Sequence, residues 1–164
     1  MKRTVSLVAL AVALAVSSAP TCAQSLAERR AIKEYEENQF KELNAEIQAA
    51  AGFDLPVRVD WDKLALPGQA SNYSNDGFFT DIFFRPLILA LKDVAVDDMG
   101  KTALKEGVKE VKMTYDAATA PASAYENGVT LANGVLTINF APWSNVNHID
   151  ERKAAILKVL EENL

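Results

Sequence analysis

The stretch Val129-Thr130-Leu131-Ala132-Asn133-Gly134-Val135-Leu136-Thr137-Ile138-Asn139-Phe140 decides the fold class. Two apolar, β-prone runs flank Asn133-Gly134. A two-residue type I′ turn needs positive φ at both central positions, and Asn-Gly supplies this at little steric cost. A β-hairpin is therefore predicted. Upstream, Val111, Met113 and Tyr115 alternate with Glu110, Lys112 and Thr114, the period of a half-buried strand. Further back, Val57, Val59 and Trp61 alternate with Arg58, Asp60 and Asp62.

Around these strands the apolar period changes to that of helices. Residues 25–51 predict one long amphipathic helix. Ser25 and Glu28 form a capping box, and Ile32, Tyr35, Phe40, Leu43, Ile47 and Ala50 form one stripe. Gly52 is a C-cap. Asp60 or Asp62 caps a short helix that Pro67-Gly68 ends. Residues 78–99 are the most hydrophobic stretch after residue 23, but Asp81, Arg85, Lys92 and Asp93 interrupt them, so they read as buried helix and not as a membrane span. Pro86 either kinks this helix or opens a second one. Asp97 caps a further helix, which Gly107 closes. Asn147 and Asp150 form a capping pair for a last helix that buries Ile149, Ile156, Val159 or Leu160, and Leu164, and exposes Glu151, Arg152, Lys158 and Glu161. The predicted class is α+β: a long N-terminal helix and central hydrophobic helices packed on a small, mostly antiparallel sheet, with a C-terminal helix.

The first residues read differently. Met1-Lys2-Arg3 precedes about 12 apolar residues, and small residues follow up to Ala23. That is the pattern of a secretory signal peptide, too short for the roughly 20 residues of a spanning helix. Residues 1–23 are expected to be a cleaved signal peptide and residues 24–164 a single globular domain. A periplasmic or secreted location follows. Cys22 admits a second reading, a lipid anchor, but Ala19-Pro20-Thr21 matches the small-residue box of such signals poorly.

Cleavage would remove the only Cys and two positive charges. The 141 residues that remain carry 15 basic against 22 acidic side chains, a formal charge of −7. This acidity and the lack of any basic run argue against nucleic acid and anionic lipid as partners. No membrane insertion is expected after cleavage.

The chemistry-bearing motifs are few. There is no Gly-x-Ser-x-Gly elbow, no phosphate-binding glycine loop and no Cys-x-x-Cys-His. His148 is the single imidazole. Asp60/Asp62 and Asp93/Asp97 are two carboxylate pairs of the kind that serve glycoside hydrolysis or hard metals, but helix capping explains most of them. Residues 72–77 imitate the start of a calcium loop, but Phe83 stands where the bidentate carboxylate belongs. No catalytic residue, metal ligand or cofactor is assigned.

Surface recognition remains. Trp143 sits in a loop with Asn145, Asn147 and His148, and loop aromatics among amides make binding sites. Tyr73 and Phe79 belong to an aromatic cluster larger than one helix face needs. These six are the candidate binding residues. The expected function is an exported, non-catalytic binding, accessory or inhibitor-type protein with a protein partner. The alternatives are a binder of a small apolar ligand or lipid, with its pocket between residues 78–84 and the sheet, and a small hydrolase built on the carboxylates.

Overall fold

The computed structural model describes residues 25–73, 75 and 78–164. The signal-peptide reading of residues 1–23, with Cys22, lies outside them, as do three positions of the 72–77 loop. The class is α+β, as the patterning predicts.

The long helix forms, with one departure. Helix α1 (Leu26–Tyr35) passes through a π-helical turn (Glu36–Phe40) into α2 (Lys41–Ala51). The capping box is complete: Glu28 N donates to Ser25 Oγ at 3.2 Å, and Ser25 N to Glu28 Oε2 at 2.5 Å. Gly52 closes α2 in the left-handed region at φ 80°. The π turn has a cause in the sequence. Tyr35 and Phe40 are five positions apart, a spacing that an α-helix turns out of line and an i→i+5 turn restores. Both rings then meet Trp61 and Phe84, at 5.3–6.2 Å between centroids.

The same device recurs at residues 80–84. A π turn (Thr80–Phe84) precedes α4 (Arg85–Val94), and Arg85 N donates to Thr80 O. Pro86 falls in the first turn of α4, directly after the π turn. Asp97 caps α5 (Asp98–Gly107), its Oδ1 accepting from Gly100 N at 2.8 Å. Val96 and Met99, however, are 80% and 78% exposed.

Strand β1 (Val57–Val59) leads into the single turn α3 (Trp61–Leu64). Strand β2 (Glu110–Thr114) follows α5. The hairpin is β3 (Val129–Ala132) and β4 (Val135–Asn139), with Asn133 at φ 52° and Gly134 at φ 79°. The sheet corrects one expectation. It is mixed, in the order β1-β2-β4-β3, with β1–β2 and β2–β4 parallel and only β3–β4 antiparallel. The hairpin docks through β4, which places β4 inside the sheet and β3 at its edge. Leu136 and Ile138 are fully buried there, whereas β3 leaves Thr130 and Ala132 exposed at the edge. The β1–β2 pair is parallel because residues 60–109, which include α4 and α5, form the crossover that parallel strands need.

The inner face of the sheet carries two apolar rows, Val57-Val111-Leu136-Leu131 and Val59-Met113-Ile138-Val129. They join α4 and the C-terminal helix α6 (Ile149–Asn163) in one hydrophobic core. Asn147 does not cap α6: His148 holds the N-cap position, without a side-chain cap bond. A second correction falls on α6. Arg152 is fully buried instead of exposed, and Leu164 is 39% exposed instead of buried.

Candidate functional site

Arg152 organises the loop that carries most of the predicted binding residues. Its Nη1 donates to Asn145 O at 2.8 Å and His148 O at 3.2 Å, and its Nη2 to Ser144 O at 2.5 Å. Its guanidinium lies 4.4 Å above the Tyr125 ring and 5.6 Å from that of Phe140. Burial lowers its pKa, while Tyr125 and Glu151 raise it. An arginine nonetheless stays cationic. Its charge is met by carbonyl dipoles and ring faces. Arg152 lies on the same helical stripe as Ile149, Ile156 and Leu160, the one sequence signal of its burial.

Asn145 and His148 contribute to the shape of this loop. Asn145 adopts a left-handed φ of 48°, and its Nδ2 donates to Ala122 O at 3.0 Å. His148 Nδ1 lies 3.3 Å from Tyr125 Oη. Asn147 is exposed. Trp143 is 50% exposed and meets Tyr115 edge-on at 5.1 Å. Burial, followed by the charge of Asp116, pushes the Tyr115 hydroxyl pKa up.

Trp143 and Val146 form one wall of a groove of about 470 Å³. Gln69, Asn72, Asn75 and Phe78 form the other. The sequence separates these walls by some seventy residues, so pattern reading did not join them. Tyr73 and Phe79 lie behind this surface, fully buried and stacked at 4.9 Å. Tyr73 Oη donates to Leu66 O at 2.8 Å, and its pKa is pushed up to about 12, by burial first and then by the Glu28 charge. Phe79, Phe83 and Phe84 are fully buried too, and Phe83 faces Phe140 at 6.2 Å.

Asp60 and Asp62 line one cleft, which Asp93 and Asp97 do not enter. Asp60 bridges Lys112 at 3.5 Å and Lys63 at 4.0 Å, Asp93 bridges Lys153 at 2.5 Å, and Asp97 caps α5. Among the described residues no group of three or more His, Cys, Asp or Glu could hold a metal ion. No helix among them is long and apolar enough to cross a membrane.

A second cleft, of about 700 Å³, opens between α1 and the β1–α3 corner. Arg29, Ile32, Lys33 and Glu36 line one side, and Val59 and Trp61 the other.

Comparison with protein-family models, with curated proteins and with solved structures finds no match. The functional reading therefore rests on these residues alone.

Proposed function

We propose that this chain is an exported, non-catalytic binding protein that recognises a protein partner through the surface around Trp143. The observation that carries the reading is the pairing of a half-exposed tryptophan with a loop pinned from beneath by Arg152. A large aromatic surface held in one conformation loses little entropy on binding, which is why such residues dominate interface energies. The amides of Gln69, Asn72 and Asn75 opposite it supply donors and acceptors for a polar rim. Export rests on the basic start, apolar run and small-residue end of residues 1–23.

The test is capture from the extracytoplasmic soluble fraction with the wild-type chain and with Trp143→Ala. The variant is expected to lose the captured partner and keep the wild-type melting temperature. Unfolding of the variant would mean that Trp143 is a structural lid, and undiminished capture would place recognition elsewhere. Amino-terminal sequencing of the exported protein is expected to begin at Gln24. A retained Met1, or a fatty acid on Cys22, would overturn that part.

A further inference from the structure

The edge of the sheet at β1 is closed at one end and open at the other. Pro56 O accepts from Val111 N at 2.8 Å, and Asp60 N donates to Met113 O at 2.9 Å. With the parallel register Val57↔Val111 and Val59↔Met113, the backbone groups of residues 56, 58 and 60 face β2. Those of Val57 and Val59 therefore face outward. Two residues earlier, the outward groups of Leu55 are taken by Gln48 of α2: Leu55 N donates to Gln48 Oε1 at 2.5 Å, and Gln48 Nε2 to Leu55 O at 2.8 Å. Gln48 is a side-chain substitute for a neighbouring strand. At Val57 and Val59 nothing plays that part: among the described residues no backbone group bonds their N–H or C=O on the open side. Beyond Val59 the long helix stands away from the strand, leaving the cleft between α1 and Trp61.

We propose that this edge and cleft bind an extended segment of a partner protein by strand addition, a site separate from the Trp143 surface. An extended backbone satisfies both outward N–H and C=O pairs at once, and alternate side chains of the added strand then enter the flanking cleft. The lining fixes the chemistry of the segment. Arg29, Lys33 and Lys63 balance Glu36, Asp60 and Asp62, so no charge of one sign is demanded, and Ile32 and Trp61 offer the apolar contact. The segment is near-neutral, with an aliphatic or aromatic side chain toward Trp61. A second copy fits less well. Paired β1 to β1 about a two-fold axis perpendicular to the sheet, it brings its own α1, a cylinder about 10 Å across, to the cleft that the first copy's helix already borders.

The test selects peptides from a random-peptide phage library on the full chain, then follows one synthetic selected peptide by amide NMR. The Val57 and Val59 amides are expected to shift and to gain protection from exchange. Val59→Pro removes an outward donor but no bond to β2, as edge strands tolerate. It is expected to weaken binding about tenfold or more, the effect of one lost hydrogen bond. Should that variant fail to fold, N-methylation of the pairing residue in the peptide makes the same cut against the wild-type protein, with the same expected loss. The proposal is overturned if no peptide is selected, if the peptide shifts only the Trp143 groove or the open sheet face, or if sedimentation shows the chain dimerising through β1.

Discussion

The guanidinium of Arg152 lies 4.4 Å above the ring of Tyr125, fully buried. Three backbone carbonyls, those of Ser144, Asn145 and His148, accept its Nη hydrogen bonds, while its buried Nε has no partner among the described residues. One side chain thus holds the course of the loop that presents Trp143.

Arg152→Ala removes the donor to Ser144 O, leaves Asn145 O and His148 O with their backbone donors alone, and opens a cavity between two rings. The expected loss is about 3 kcal/mol or more in urea unfolding. Arg152→Lys keeps the charge but not the planar fork, and is expected to fall between alanine and wild type. With Trp61→Phe as background, Trp143 fluorescence in Arg152→Ala is expected to become that of a solvated indole. An unchanged spectrum would show that the loop keeps its course without the arginine.

The type I′ turn gives a local test. Gly134 sits at φ 79°, and an added Cβ would approach Lys109 Cγ to 2.9 Å. Gly134→Ala is expected to cost about 1–2 kcal/mol, whereas Asn133→Gly changes stability little. Equal effects at both positions would contradict the turn.

Glu28 titrates with folding. The Gly68 backbone N–H, then the N–H and hydroxyl of Ser25, hold its carboxyl below the ordinary 4.5. Between the lowered value and the ordinary one the unfolded chain binds more protons. Stability from this site is therefore complete above the ordinary value and drains away as the pH falls through the lowered one. Glu28→Gln is expected to flatten the acid limb of a stability–pH curve, and an unaltered limb would refute the assignment.

Tyr73 acts at the other end of the scale. Its hydroxyl rises from 10.0 to about 12. Above the ordinary value the unfolded chain ionises first, so stability falls as the pH rises through this window. Tyr73→Phe is expected to remove that alkaline slope, at the cost of the bond to Leu66 O.

The π turn at Glu36–Phe40 holds one residue more than an α-helical path. Deleting Gln39 brings Tyr35 and Phe40 to an α-helical spacing of four and is expected to shift the melting temperature little. Deleting Ala45 turns Ile47 and Ala50 off the buried stripe and is expected to unfold the chain.

Signals confined to a few neighbouring residues were legible. The Ser25–Glu28 box, the Gly52 cap, the Asp97 cap and the Asn133-Gly134 turn all stand where local chemistry puts them. The π turns left a trace in five-residue aromatic spacings, which a fixed 100° rotation per residue hides. The candidate site was only half legible. Trp143 stood out as a loop aromatic, but Phe78 and Asn72 reach its groove through the fold. Arg152 was misplaced because charge argued for solvent more strongly than its place on the apolar stripe argued for burial.

The sequence by itself determined the α+β class, the order of helices and strands, the caps at Ser25, Gly52 and Asp97, and the hairpin. Each of these follows from dihedral preferences and hydrogen bonds within a few residues. Only the tertiary structure decided that the hairpin docks through β4, that Arg152 finds three carbonyls and two rings in the core, and that β1 remains an open edge. These are outcomes of competition between distant surfaces for burial and for backbone partners. Such competition is settled by which faces meet, and local pattern does not decide it.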